Sequence, residues 1–366
     1  GDWSLCTSLL GRLVNENRKP RLRSRMANAV ARALPHAMVR KLMESTFINF
    51  GVETTNLCNA NCSFCGYRFM QRPKVDMPME VYEKAVREFA ANGGGNLNFT
   101  PTVGDPLVDK QLVKRIELAR SHTEIQEIFL YTNAILLERF GYEAFLRSGL
   151  SRLAISTFIG NREGYERYYG NDKYGKVVEN IIEIARKNRE IGSPVRITLH
   201  LRVEGDRASW EETETYQTIA ELVGVNNIDY LDVYDAWGGR IKKEDVPEGT
   251  ELDEPIPLAE KIKSPCFEMY RRLHVLADGN VGACVCVDLE SEIKVGNVKE
   301  ETLDEIWRGK RLRAYRSNWV EGNLPEVCKS CTRYQAVDQF IDENRKRVIV
   351  DFARRRFPAT LKFLTR

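Results

Sequence analysis

Three cysteines stand close together in Cys58-Asn59-Ala60-Asn61-Cys62-Ser63-Phe64-Cys65, at C-x3-C-x2-C spacing with an aromatic residue before the last. Thiolates are the usual ligands of iron–sulfur clusters, and a four-iron cluster takes four of them. Three close cysteines hold three irons and leave the fourth without a protein ligand. Such an open position separates a catalytic metal site from a structural one. Half of a zinc site is the competing reading. A disulfide framework is the weaker one, because nine cysteines in 366 residues fall far short of a secreted scaffold and an odd count leaves one unpaired. A second set follows at Cys266, Cys284, Cys286, Cys328 and Cys331, and its C-x2-C end suits zinc and iron–sulfur equally. Cys6 stands alone and reads as incidental.

The elements that position these thiols are read from hydrophobic periodicity. Phe47–Thr55 is apolar and β-branched, hence a strand, and the first cysteine loop follows it directly. Helix and strand patterns then alternate: helix Pro78–Asn92, strand Leu97–Pro101, helix Asp109–Ser121, strand Ile128–Thr132, helix Glu138–Arg147, strand Arg152–Thr157, helix Lys176–Ile191, strand Val195–Val203, helix Ser209–Val223 and strand Ile228–Tyr234. Six βα repeats in series imply a parallel sheet with right-handed crossovers. Loops after the strands' C-terminal ends are where such α/β folds place their chemistry. Residues 236–265 read as a linker. Leu273–Leu276, the turn Asp278-Gly279 and Val281–Val287 read as a hairpin, because Asp-Gly supplies the positive φ of a tight turn. Cys284 and Cys286 are two apart on that strand and point to one face. A helix over Thr302–Arg316 leads to Cys328-Lys329-Ser330-Cys331.

The first cysteine run, in this context, resembles the signature of the radical S-adenosylmethionine (SAM) enzymes. The resemblance implies a partial (β/α)6 barrel over residues 47–235. It also implies a [4Fe-4S] cluster on Cys58, Cys62 and Cys65 whose open iron binds SAM, and reductive cleavage of SAM to a 5′-deoxyadenosyl radical. Val103-Gly104-Asp105-Pro106 resembles the Gly-Gly-Glu-Pro segment that contacts the SAM amino group, with Gly104 retained and Asp105 in place of Glu. Thr132-Asn133 resembles Thr-Asn-Gly, with Ala134 replacing Gly. Ser156 and Arg167 resemble the pair that holds the SAM ribose and carboxylate. Phe64 is the signature aromatic, and Tyr67 would set its backbone against adenine. The second cysteine set resembles the twitch domain, a shortened SPASM domain, over residues 266–331. The fold class implied is thus α/β, a partial barrel followed by a small α+β iron–sulfur domain. No cysteine follows Cys331, so one auxiliary cluster, of [4Fe-4S] type, is implied on Cys266, Cys284, Cys328 and Cys331. Cys286 is then a surplus thiol that replaces Cys284, sits in the core, or donates a hydrogen atom to a substrate radical.

Charge is unevenly placed. Residues 1–47 carry nine Lys/Arg against three Asp/Glu, and residues 332–366 carry nine against four. A basic helical extension over 1–46 and a basic C-terminal helix over 332–366 are expected, as solvated surface helices or as contacts for a membrane surface. Without aromatics interleaved at nucleic-acid spacing, RNA and DNA are poor partners, and a zinc-structured nucleic-acid-binding protein is the competing class. No signal segment or membrane-length apolar run is present, so a cytoplasmic setting is expected. Residues 1–46 show no strand signal, so no winged-helix leader-binding domain is expected there. The resemblance then implies an oxidoreductase or epimerase on a sugar- or cyclitol-like substrate, with a peptide maturase as the runner-up. It also implies an electron donor such as flavodoxin or ferredoxin. Arg202, Asp235 and Arg240 are charged candidates near the barrel mouth, with ion-pair or surface roles expected for each.

Overall fold

The computed structural model describes residues 34–204 and 206–356. The basic run at 18–25, Cys6 and residues 357–366 lie outside the described residues. Six strands pair in parallel and in chain order: β1 (Asn49–Val52), β2 (Gly95–Asn98), β3 (Ile125–Thr132), β4 (Arg152–Thr157), β5 (Arg196–Arg202) and β6 (Ile228–Leu231). Helix α1 (His36–Glu44) precedes them. The crossovers carry α2 (Met79–Ala91), α3 (Leu112–Arg120), α4 (Tyr142–Arg147), α5 (Arg162–Tyr169), α6 (Tyr174–Glu190), α7 (Arg207–Glu211) and α8 (Glu214–Val223).

Strand alternation sorts two unlike faces. Ile128, Leu130, Leu153, Ile155, Leu199 and Leu201 are fully buried and share one core with Val177, Ile181 and Ile184 of α6. The alternate residues face the other way, and there the rings of Tyr131 on β3 and His200 on β5 meet at 5.1 Å. They meet across β4, where Ala154 pairs with Tyr131 on one side and Thr198 on the other. Side chains two strands apart touch only on the concave side of a curved sheet. This concave side is polar.

The expected strand Ile228–Tyr234 divides. β6 stops at Leu231, and β7 (Val233–Tyr234) pairs instead with β8 (Glu251–Leu252) in a separate two-stranded sheet. Two expected helices also break, the first between α7 and α8. The second becomes α10 (Leu303–Trp307) and α11 (Lys310–Asn318), following the one-turn α9 (Leu258–Lys261). Gly309 interrupts that second helix, since glycine is a poor helix former.

The auxiliary hairpin shares the barrel's sheet. β9 (Arg272–Val275) pairs in parallel with β1, and β10 (Asn280–Gly282) and β11 (Lys294–Asn297) extend it, giving the order β11-β10-β9-β1-β2-β3-β4-β5-β6. Gly51 makes the join close: a Cβ there would lie 2.1 Å from Nδ1 of His274, its cross-strand partner. Asp278-Gly279 does form the turn, with Gly279 at φ +92°. β10 ends at Gly282, so Cys284 and Cys286 lie past the strand and not on it.

The short helix α12 (Glu326–Lys329) leads to α13 (Val337–Arg356). α13 packs on α1 through His36–Asp342 (2.8 Å) and crosses the strands' N-terminal ends. A cavity of about 640 Å³ lies between them, lined by Asn96, Glu127, Lys346, Arg347 and Asp351 among others. Among the described residues no helix is long and apolar enough to cross a membrane.

Candidate active site

The first cysteine loop follows β1, and hydrogen bonds hold it at both ends. The Cys58 N–H donates to Tyr67 Oη at 3.2 Å, and the Tyr67 N–H donates to Cys65 Sγ at 3.4 Å. Tyr67 therefore closes the loop on itself. The Asn61 and Ser63 N–H groups donate to the carbonyls of Tyr169 and Tyr168 at the end of α5. Gly170, at φ +65°, lets that helix end approach, since a Cβ would lie 2.8 Å from the Asn61 carbonyl. Phe64 is buried edge-on to Tyr169 (5.4 Å) and Tyr234 (5.3 Å). Arg202 lies over the Phe64 and Tyr234 rings, 4.7 Å from each centroid, and its Nε is buried with no hydrogen-bond partner among the described residues. The expected surface or ion-pair role for Arg202 gives way to a guanidinium held between aromatic faces.

The loop after β2 approaches the same run. Gly104 has φ +128°, and a Cβ there would lie 2.9 Å from the Leu57 carbonyl, so this crossing demands glycine. The Asp105 N–H donates to that carbonyl at 2.9 Å. The Asp105 carboxylate, 2% exposed, accepts from the Thr132 hydroxyl and from the N–H groups of Asn133 and Leu107. Burial raises its pKa, and these hydrogen bonds work the other way. Asn133 Nδ2 reaches Asn59 Oδ1 at 2.7 Å, inside the cysteine run. Asp105 and Asn133 thus lock the ends of β2 and β3 to the loop.

Ser156 stands on the concave face across from His200. Arg167 is drawn elsewhere: it is half-exposed on α5, paired with Glu163 (2.7 Å) and Glu204 (3.3 Å). It borders a cavity of about 460 Å³ with Glu204, Asp206 and Trp210, and Ser156 is not part of that lining.

Burial pushes the Cys58 thiol up to about 12, with the Asp105 carboxylate adding to it, and it raises Cys62 and Cys65 as well. Arg202 opposes the rise at Cys62 and Cys65. Cys266, Cys284, Cys286, Cys328 and Cys331 line one cavity with Glu268, Arg333 and Tyr334. Burial raises Cys266 and Cys328 and takes Cys331 to about 11, whereas Cys284 is lowered, chiefly by its hydrogen bond with Cys286. All eight described cysteines are free thiols. Gathered, buried thiols that resist ionisation fit sites where a bound cation holds them as thiolates. Among the described residues no three Cys, His, Asp or Glu converge as ligands of a single ion. Thiolates ligate iron–sulfur clusters and zinc alike, and both sets fit a bound cation.

Comparison with known proteins agrees. The model of the radical SAM superfamily matches residues 52–214, and that of SPASM, an iron–sulfur cluster-binding domain, matches residues 266–332. The chain belongs to the radical SAM superfamily. Its cofactors are SAM and [4Fe-4S] clusters. This radical SAM protein is similar to the GTP 3′,8-cyclase of Aquifex aeolicus, 23% identical over 72% of this chain and 89% of the relative. It is also similar to that of Alkaliphilus metalliredigens, 26% identical over 63% and 72%. Among solved folds it resembles BtrN in complex with AdoMet and 2-DOIA, at TM-score 0.51 and 17% identity over 80% of this chain and 96% of that one. It likewise resembles Streptococcus suis SuiB bound to precursor peptide SuiA, at TM-score 0.55 and 13% identity over 90% and 80%.

The linker reading of 236–265 hid a junction between the two cysteine sets. In the turn after β7, Asp235 accepts from Arg333 Nε and the Thr332 hydroxyl, both at 2.8 Å and both close to Cys331 in the chain. The Trp237 ring covers Gly66, next to Cys65, and Gly238 abuts Ser330, between Cys328 and Cys331. Trp237 itself sits at φ +47°. The Trp237-Gly238-Gly239 run is the one local signal of such a turn, and it carries no hint of its two partners.

Proposed function

We propose that this radical SAM protein is a tailoring oxidoreductase or epimerase. It would remove a hydrogen atom from a carbon of a hydroxylated, sugar- or cyclitol-like molecule. The observation that carries this reading is the polar concave face of the barrel sheet, where Asn98, Arg152, Ser156, Thr198 and His200 replace the aliphatic residues of the opposite face. A hydroxyl-rich ligand needs such partners, since each hydroxyl buried without one costs roughly 1–3 kcal/mol.

When bound, SAM and its cluster supply the 5′-deoxyadenosyl radical that accepts the hydrogen atom. The chain's own part is to hold those groups and aim the substrate. Cys58, Cys62 and Cys65 take the first cluster. Tyr67, Gly104, Asp105 and Asn133 hold the loop and would stand toward SAM with Ser156 of the concave face, whereas Arg167 borders a separate cavity. Arg152 is fixed 4.4 Å over the Phe129 ring and pairs with Glu127 at 3.3 Å, presenting a rigid donor. His200 has its pKa lowered by burial, with the Arg152 and Arg202 cations adding to this and Asp229 opposing, so near neutral pH it serves as a neutral acceptor. Cys286 lines the auxiliary cavity among four other thiols, which favours dehydrogenation over an epimerisation that uses Cys286 as hydrogen donor.

The sequence relatives are named for action on GTP, and the two similar folds were solved with 2-DOIA and with a peptide, so likeness of fold does not choose the substrate. Deuterium transfer does. Anaerobically reconstituted, reduced protein should produce 5′-deoxyadenosine from SAM, and the triple variant C58A/C62A/C65A should produce none. Label should pass into 5′-deoxyadenosine from carbon-deuterated cyclitols or aminosugars. Label passing from peptides alone would sink the small-molecule reading.

A further inference from the structure

Five thiols line the auxiliary cavity, and a four-iron cluster takes four. Three of them have settled places. Cys266 opens a helical turn, and Cys328 and Cys331 flank the end of α12, where Lys261 Nζ binds the carbonyls of Cys328 and Lys329 at 2.9 Å each. Cys284 and Cys286 are different. The last ladder bond before them runs from the Ala283 N–H to the Ile293 carbonyl, and both then lie in an irregular bend. The Cys286 N–H donates to Cys284 Sγ at 3.4 Å, and both side chains line the same cavity.

We propose that the fourth thiolate position of the auxiliary cluster is shared by Cys284 and Cys286, either sulfur filling it while the other remains a thiol beside it. Two sulfurs two residues apart on one irregular bend, lining one cavity, exchange places by side-chain rotation, with no displacement of the strand that ends at Gly282. The exchange balances without an external reagent. One Fe–S bond breaks as the other forms, and the proton of the incoming thiol passes to the departing thiolate, with no electron transferred. The thiol left outside donates S–H to the ligand sulfur, and such hydrogen bonds set cluster potentials. The inference is independent of the substrate proposed above.

The test uses the full chain, reconstituted anaerobically as C284A, C286A and C284A/C286A, with iron and sulfide counted per chain. Both single variants should keep the iron of two clusters and an auxiliary EPR signal of wild-type type, whereas the double variant, left with three thiolates, should lose iron or shift that signal. Loss of half the iron in either single variant overturns the sharing. The cluster of the Cys58 loop, whose EPR signal responds to SAM, reports that each variant is folded. If a single variant loses both clusters, the wild-type protein decides. Its reduced auxiliary cluster should give two EPR signals, whereas one homogeneous signal overturns the proposal.

Discussion

Ala134 sits at the end of β3 in the left-handed region, at φ +69°, with its side chain fully buried. The strain on its Cβ amounts to roughly 1 kcal/mol. In A134G the relief of strain is offset by the freer unfolded chain and by loss of a buried methyl worth about 0.8 kcal/mol, so stability should change by less than about 1 kcal/mol, as thermal melts would show. His274 offers a second single-residue test. It is fully buried, neither ring nitrogen has a hydrogen-bond partner among the described residues, and its pKa is held down to about 3 by burial, with Arg272 and Arg72 adding to it. A depressed folded pKa means the unfolded chain binds the proton more tightly. The stability that the neutral ring contributes is complete above the unfolded value near ~6.5 and is lost as pH falls toward about 3. H274L removes this dependence. In urea titrations, wild type should lose stability relative to H274L on acidification, by up to about 1.4 kcal/mol per pH unit in that window. Parallel curves would show that His274 is not held neutral.

β1 is the element on which both sites depend. Its end leads into Cys58, its flank carries β9, and Glu53 just beyond it binds Arg72 through two hydrogen bonds of 3.0 and 3.1 Å. Glu53 also accepts from the Ala277 N–H, and Arg72 Nε donates to the Leu289 carbonyl, tying the loop to the auxiliary hairpin. E53A strands a buried guanidinium and should cost about 3–5 kcal/mol. G51A forces the His274 ring off the sheet and should cost roughly 1–3 kcal/mol, loosening the β1–β9 pairing before the rest of the sheet; faster hydrogen exchange at the Glu53 and Val275 amides reads it. β3, β4 and β5 were legible as β-branched runs between helix patterns of 3.6 periodicity, whereas β2 (Gly95–Asn98) has no β-branched residue and begins two residues before the expected Leu97. The β1–β9 pairing was not legible. Asn49–Val52 and Arg272–Val275 lie far apart in the chain, and nothing in strands so short names a partner. The cysteine spacing marked the two thiol sets, one in the loop after β1 and one lining a single cavity. Tyr67, Arg202 and Trp237 act through neighbours that only the folded chain assembles.

At the scale of the whole molecule, the strands next to the two thiol sets belong to one hydrogen-bonded sheet, and the sets approach again at the Asp235–Gly239 turn. Unfolding should therefore be one event for the described body. In denaturant, the visible absorbance of both clusters and tryptophan fluorescence should fall along a single curve; an early, separate loss of the auxiliary cluster would show two independent units. α13 closes the barrel's N-terminal end, which leaves the strands' C-terminal ends for substrate. The place of β9 beside β1 also bears on how the protein is made. The ribosome delivers Cys58, Cys62 and Cys65 early, but β1 gains its second neighbour only once the chain has reached Val275. Pairings so distant in sequence form late. A nascent chain therefore lacks one flank of the strand that leads into Cys58 until β9 has been made.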